Sequence, residues 1–151
     1  MISACILTDN KLSITQVMPN QPLPADVIWL DVNQPDDEER SWLETLFVED
    51  VPEEDEMDDI ESSSRFRVGP DGVHILSLFP QRLATEIRGV NMSFTMRKNL
   101  LISFREDHVS IVCLLRYYIR HNNVDDIRCA LDILLKLQDL KVDQLSDLIE
   151  D

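Results

Sequence analysis

The 151-residue chain is poor in the features that mark several large protein classes. It has only three glycines and no glycine-rich phosphate loop, yet 44% of it is hydrophobic, so a folded core is expected. Its three cysteines, Cys5, Cys113 and Cys129, show no paired spacing, which argues against a disulfide framework and indicates a reducing compartment. No run reaches the roughly 18–20 apolar residues that a bilayer crossing needs, and the N-terminus lacks a signal-peptide pattern. The sequence as it stands predicts a soluble cytosolic chain.

Basic residues are also scarce, because 14 Lys and Arg face 29 Asp and Glu, for a net charge of −15. Such a charge repels nucleic acid and anionic lipid, so neither is expected as a partner. It favours cations or basic proteins as partners, or serves solubility alone. Catalytic patterns are missing as well: no Cys–His or Ser–His–Asp spacing suggests a nucleophile, and His74 lies inside an apolar strand where a structural role is more common. We therefore expect a protein that is not an enzyme.

Alternating and continuous apolar runs predict about seven strands in a mixed sheet of an α/β domain. Two of them flank the hairpin turn Asp9-Asn10, and another pair surrounds the turn Lys98-Asn99. The predicted strands are Ile2–Thr8, Leu12–Met18, Asp26–Val32, Arg65–Val68, Val73–Phe79, Val90–Arg97 and Leu100–Glu106.

Three helices are predicted between and after these strands. The first follows Pro35 and has Trp42, Leu43, Leu46 and Phe47 on its apolar face. The second covers "IVCLLRYYIRH", with Asp107 or Ser110 as its cap. The third runs from Asn123 to Asp151 without Gly or Pro, so about 28 residues would form a rod of roughly 42 Å. A rod of that length is either the start of a helix that leaves the domain or an ordinary amphipathic terminal helix.

The segment Glu49–Glu61 contains nine carboxylates in thirteen residues. Three interpretations apply: a solvated charge run, a specific metal site, or acids that pair with Arg65, Arg67 or the basic residues of the later helices. Mg²⁺ commonly takes only one or two protein carboxylates, so an acidic field could concentrate it without tight ligation. Solvent and internal pairing are favoured, with cation attraction as a by-product.

Four stretches together resemble the N-terminal cytosolic domain of the CorA family of magnesium and cobalt transporters. They are "IWLDVNQPDDEER" (Ile28–Arg40), "DDIESSSRF" (Asp58–Phe66), "GVHILSLF" (Gly72–Phe79) and "FTMRKNLLISFRE" (Phe94–Glu106). The resemblance covers essentially the whole chain, and its second stretch is the most specific.

This resemblance implies an α/β/α sandwich with a long C-terminal helix. The domain would belong to a homopentameric channel and would lie at the cytoplasmic side of the inner membrane. Residues 1–121 would form the α/β domain and residues 122–151 the start of a truncated stalk helix. The chain contains neither the Gly-Met-Asn pore motif nor a membrane helix. Contact with the membrane would therefore come only through a missing C-terminal part.

The resemblance also implies regulatory Mg²⁺ sites between neighbouring subunits, with Co²⁺ as a second cation. Glu86 is the only carboxylate in the matching loop "FPQRLATEIRG", where Arg82 and Arg88 oppose a cation. Asp132 is the second metal candidate, and Mg²⁺ binding by this chain is expected to be weak. Two alternatives stay open: a freestanding acidic protein-interaction module, and the same domain of a zinc-transporting relative.

Overall fold

The computed structural model describes residues 1–47, 66–69 and 72–150, and within them the chain forms seven strands and three helices. The elements are β1 (Ile2–Thr8), β2 (Lys11–Val17), β3 (Val27–Asn33), α1 (Asp37–Leu46), β4 (Phe66–Gly69), β5 (Gly72–Arg82), β6 (Ile87–Arg97), β7 (Leu100–Arg105), α2 (Ser110–Arg120) and α3 (Ala130–Glu150). The acidic run Glu49–Glu61 lies outside these ranges.

All seven strands join one sheet in the order β2-β1-β3-β7-β6-β5-β4. Among these strands β3 and β7 pair in parallel, while the other neighbours are antiparallel. The prediction of a mixed sheet of about seven strands is confirmed. The two predicted turns are also present: Asp9 and Asn10 both have positive φ in the two-residue β1–β2 connection, and Lys98 has positive φ between β6 and β7.

Helices cover both faces of the sheet, which confirms the α/β/α sandwich. Successive side chains of β3 point to opposite faces, so Trp29 packs with α2 and α3 while Leu30 packs with α1. Leu101 and Ile102 of β7 divide in the same way. Because β3 and β7 are central and covered on both sides, they read in the sequence as nearly continuous apolar runs.

The start of α1 is fixed by a capping box that the sequence analysis did not specify. The Asp36 carboxylate accepts a hydrogen bond from the Glu39 backbone N–H at 2.7 Å, and the Glu39 carboxylate accepts one from the Asp36 N–H at 3.1 Å. Trp42, Leu43 and the C-cap residue Phe47 are buried as predicted. Leu46, which was predicted on the same face, is instead 41% exposed at the end of the helix.

The two later helices begin at other residues than predicted. Val109 is the N-cap of α2 and no side chain caps it, so the proposed caps Asp107 and Ser110 are wrong. The Asp107 carboxylate accepts from the His108 backbone N–H instead, at 2.8 Å. α3 begins at Ala130 rather than after Asn123, and its 21 residues span about 31 Å instead of roughly 42 Å.

A residue from another part of the chain explains where α3 starts. The Asn99 side-chain oxygen, in the β6–β7 turn, accepts a hydrogen bond from the Ala130 N–H at 2.8 Å. Such a cap satisfies one of the backbone donors that a helix start leaves free. From this point Ala130, Ile133 and Leu137 are buried in the same core as α2 and the sheet. The division at residues 121 and 122 stays a prediction.

A buried polar network links the two parallel strands on the face that α2 and α3 cover. The Arg105 guanidinium donates to both oxygens of Asp31, from Nη2 at 3.0 Å and Nε at 3.3 Å, and both side chains are at most 3% exposed. The Ser103 hydroxyl donates to the same carboxylate at 3.1 Å and accepts from the Trp29 indole N–H at 2.9 Å. Buried charges require this kind of pairing.

Candidate cation-binding residues and the family of the chain

Glu86 lies in the connection between β5 and β6, and its side chain is exposed. The turn is closed by the Leu83 N–H, which donates to the Glu86 carbonyl oxygen at 2.8 Å. Arg88, which was expected to oppose a cation here, is held by other groups: its guanidinium donates to the Gln81 side-chain oxygen at 2.9 Å and to the Asp107 carboxylate. The carboxylate of Glu86 is therefore presented to solvent on a turn whose neighbouring arginine is already engaged.

Asp132 lies in the first turn of α3 and is half-buried. One of its carboxylate oxygens accepts a hydrogen bond from the Arg128 backbone N–H at 2.8 Å. A carboxylate in the first turn of a helix is also favoured by the partial positive charge there. Asp132 thus has a structural role at the start of the helix, and part of its acceptor capacity is left for a cation.

The two candidates, Glu86 and Asp132, lie near opposite ends of strand β6. Glu86 precedes β6, whereas Asn99, which caps α3 close to Asp132, follows it. β6 has 11 residues, so about 33 Å separates these ends. One chain therefore does not bring Glu86 and Asp132 to the same ion. Within residues 1–47, 66–69 and 72–150, no group of three or more His, Cys, Asp or Glu side chains is arranged to hold a metal. The assignment of these residues stays a prediction.

The histidines occupy structural positions. His74 is half-buried in β5, and its Nδ1 lies 3.0 Å from the Thr95 hydroxyl on β6. The His121 ring packs on Tyr117, with 4.2 Å between ring centroids. Sequence reasoning missed one pairing: His108 Nδ1 lies 3.8 Å from the Cys113 sulfur. The five-residue spacing across a helix start was the only available signal for it.

Lys141 is a second residue that the sequence analysis missed. It lies on α3, with Nζ 3.2 Å from the Ser77 hydroxyl and 5.0 Å from the centre of the Phe79 ring, both on β5. Burial lowers the pKa of its ammonium group below the usual 10.5. Ser77 and Phe79 precede Lys141 by more than 60 residues, so no local spacing indicates this contact.

The architecture defines a class of protein before any sequence match is considered. The fold is shared with the complete CorA magnesium transporter of Methanocaldococcus jannaschii (TM-score 0.77, 16% identity, 99% of this chain and 47% of that one). It is also shared with the soluble domain of that transporter (TM-score 0.73, 15% identity, 59% of that chain). The ZntB cytoplasmic domain of Vibrio parahaemolyticus matches with a TM-score of 0.67 and 15% identity, over 62% of its chain. The chain therefore has the α/β/α fold that these proteins share.

Sequence similarity then gives the family. Residues 24–151 match the CorA-like Mg²⁺ transporter protein family. The chain is 34% identical over 151 residues to the magnesium transport protein CorA of Escherichia coli K12, and it has the same identity to that of Salmonella typhimurium. The chain belongs to the CorA-like Mg²⁺ transporter family. The match covers 99% of this chain and 47% of each relative, so the chain spans about half the length of these relatives.

In the described part of the chain no helix combines the length and the apolar character needed to cross a bilayer.

Proposed function

We propose that this chain is the cytosolic regulatory domain of a CorA-like channel that carries Mg²⁺, with Co²⁺ as a second cation. The observation that carries the proposal is the family match over residues 24–151, supported by 34% identity to a magnesium transport protein along the whole chain. In this proposal residues 122–151 lead towards the membrane part, and the domain lies on the cytoplasmic side of the inner membrane. The role is regulatory rather than enzymatic.

The regulatory step would occur between neighbouring subunits of a homopentamer. These 151 residues carry a net charge of −15, so bringing two such domains together is opposed by electrostatic repulsion. Glu86 and Asp132 stand at opposite ends of one sheet, and an ion that used both would have to join two chains. Bound Mg²⁺ would neutralise such carboxylates and hold the subunits in the closed arrangement. Its departure would restore the repulsion and favour the open one.

The electrostatic energy available from neutralising a pair of carboxylates can be bounded. Two unit charges 4 Å apart near a protein surface interact by about 4 kcal/mol. A coupling of only 1–3 kcal/mol per site is typical of allosteric proteins, so partial neutralisation of a single carboxylate pair is sufficient. The ion must bind the closed state more tightly than the open one for any shift to occur. Because Mg²⁺ keeps several of its waters, one carboxylate from each chain is an adequate ligand set.

A calorimetric Mg²⁺ titration combined with sedimentation in the presence and absence of Mg²⁺ tests this proposal. Weak binding and Mg²⁺-dependent association are expected, and both should decrease in Glu86→Gln and Asp132→Asn. Asp9→Asn is the matched control, because Asp9 is an exposed acid in the β1–β2 turn and Asn tolerates its positive φ. Equal losses in all three variants, or tight binding that none of them alters, would contradict the site.

A second candidate is supported by the match to the ZntB cytoplasmic domain, whose fold is shared with a TM-score of 0.67. In this alternative the same domain serves a zinc-transporting relative. Uptake measured with Zn²⁺ and with Mg²⁺ in cells that express the complete protein distinguishes the two. The freestanding acidic interaction module is the remaining alternative. It is favoured if calorimetry detects no Mg²⁺ binding to the chain and if Mg²⁺ does not change the association of the chain in sedimentation.

A further inference from the structure

A histidine and a cysteine lie together at the start of α2. His108 precedes the N-cap residue Val109, and its Nδ1 is 3.8 Å from the Sγ atom of Cys113 in the second turn of the helix. The side chain of His108 is exposed and that of Cys113 is half-buried. Imidazole and thiol are both metal ligands, and an ion from solvent can reach this pair.

The distance between the two atoms suits a single bridging ion. Zn²⁺ lies about 2.3 Å from a cysteine sulfur and about 2.0–2.1 Å from a histidine nitrogen, in tetrahedral geometry. Two ligand atoms at these bond lengths are about 3.6 Å apart. Because Nδ1 and Sγ are 3.8 Å apart, both can bind one ion after a shift of only about 0.2 Å.

A neighbouring carboxylate holds the histidine in place. One oxygen of Asp107 accepts a hydrogen bond from the His108 backbone N–H at 2.8 Å, and the other pairs with the Arg88 guanidinium. Both oxygens of Asp107 are thus engaged, and the carboxylate fixes the backbone of the residue that supplies Nδ1. Groups that position a ligand in this way raise the affinity of a metal site.

A buried acceptor lies over the same part of α2. Gln144 donates from Nε2 to the Ser110 hydroxyl at 3.3 Å, while its buried Oε1 accepts no hydrogen bond within the part of the chain that the structure describes. Ser110 and Cys113 are three residues apart on the helix, so they are neighbours on one side of it. Buried oxygens normally have a donor. A water molecule bound to an ion at Cys113 would offer one here.

The two ligands select the class of ion. Thiolate and imidazole bind Zn²⁺ and related divalent transition metals, whereas Mg²⁺ takes oxygen ligands. In the ranges that the structure describes, no third His, Cys, Asp or Glu joins the pair. Two protein ligands leave positions on a tetrahedral ion for water, so the affinity should be lower than that of structural sites with four protein ligands.

We propose that His108 and Cys113 form a binding site for one Zn²⁺ ion, or a divalent transition metal with the same ligand preference, held by the imidazole Nδ1, the thiolate and water. The thiol releases its proton to solvent when the ion binds. The ion ties the residue before Val109 to the start of α2, which no side chain caps. The site is independent of the Mg²⁺ sites proposed above, because Glu86 and Asp132 offer neither sulfur nor nitrogen, so either assignment can fail while the other stands.

Titration of the 151-residue chain with Co²⁺, which replaces Zn²⁺ and absorbs light, tests this site. A thiolate bound to Co²⁺ gives a charge-transfer absorption band in the near ultraviolet, which carboxylate and water ligands do not produce. We expect the band to saturate at one ion per chain and to persist in excess Mg²⁺. It should be lost in Cys113→Ser. In His108→Ala it should require at least about tenfold more Co²⁺, since groups that merely orient a ligand already change affinity by about 10–100-fold.

The chain supplies a matched control for each ligand. Cys129 is also a half-buried free cysteine, and His121 is also an exposed histidine at an end of α2. Cys129→Ser and His121→Ala should leave the band unchanged, and circular dichroism checks that every variant is folded. In the unmodified chain, Zn²⁺ should slow the alkylation of Cys113 by iodoacetamide, followed by mass spectrometry, without slowing that of Cys129.

Several results would overturn the inference. They are the absence of a thiolate band at saturating Co²⁺, a band that Cys129→Ser removes, and a Co²⁺ affinity that His108→Ala leaves unchanged. Displacement of the ion by Mg²⁺ would assign it to carboxylates instead. Sedimentation showing that one ion joins two chains would also refute the site, because a single chain would then not supply both ligands.

Discussion

The buried pair of Asp31 and Arg105 allows the sharpest stability prediction. In Arg105→Met the Asp31 carboxylate stays buried and loses both guanidinium contacts, at 3.0 and 3.3 Å, retaining the Ser103 hydroxyl at 3.1 Å. Removing one partner of a buried pair costs about 3–5 kcal/mol, because the remaining charge is left without compensation. That is a large part of the 5–15 kcal/mol by which a domain is stable.

The double variant Asp31→Leu with Arg105→Met separates pairing from burial. It removes both charges and fills similar space, and such replacements are often neutral or stabilising. We expect its free energy of unfolding to lie within about 1 kcal/mol of that of the unmodified chain. The Ser103 hydroxyl keeps its contact with Trp29 and can still donate to the Leu30 carbonyl oxygen, at 3.4 Å.

Urea denaturation followed by the fluorescence of Trp29 and Trp42 measures these two variants and the single variant Asp31→Leu, with the slope checked for two-state behaviour. A coupling energy above about 2 kcal/mol between the two sites would support the reasoning. If Arg105→Met costs less than about 1 kcal/mol, the carboxylate is not held in a water-excluded site as described. If the double variant is as unstable as the sum of the single ones, burial rather than pairing determines the cost.

Three further predictions concern single side chains. Asp36→Ala removes the cap of α1 and should lower the free energy of unfolding by about 1 kcal/mol, measured in urea, whereas Asp37→Ala, one residue later, should have a much smaller effect. Lys141→Met should stabilise the chain at neutral pH, because burial lowers the pKa of the Lys141 ammonium group in the folded state below 10.5. The unmodified chain should therefore gain stability as the pH rises through that lowered pKa. The difference in the free energy of unfolding between the variant and the unmodified chain should shrink towards pH 10.5. A constant difference across this range would contradict the burial of the charge. Burial raises the pKa of the Cys5 thiol to about 12, so mass spectrometry should find Cys5 unmodified by iodoacetamide at pH 8 while Cys113 and Cys129 react.

The parts of the fold that depend on residues close together in the sequence could be predicted. The Asp9-Asn10 turn and the apolar runs of β3 and β7 follow from backbone preference and side-chain alternation, and they were predicted correctly. The start of α3 could not be found in this way, because its cap is Asn99, 31 residues earlier. The Asp31–Arg105 pair joins residues 74 apart, so no spacing rule indicates it.

The candidate site was predictable only as residue types. The resemblance to the family pointed to Glu86 and Asp132, but nothing local indicates that they lie near opposite ends of the 11-residue strand β6. Similarly, the sequence did not indicate which apolar residues of α3 face the sheet. The structure divides them between a buried face and an exposed one, because the sheet covers only part of the helix circumference.

The parallel pairing of β3 with β7 has a consequence for how the chain reaches its native state. Its register joins Trp29 to Leu101, which are 72 positions apart, whereas β5, β6 and β7 are connected through short hairpins. Contacts between distant positions are slow to form, since the loop between them must be closed before they contribute. We therefore expect the two halves of the sheet to acquire order separately and their meeting along this seam to limit the rate of folding.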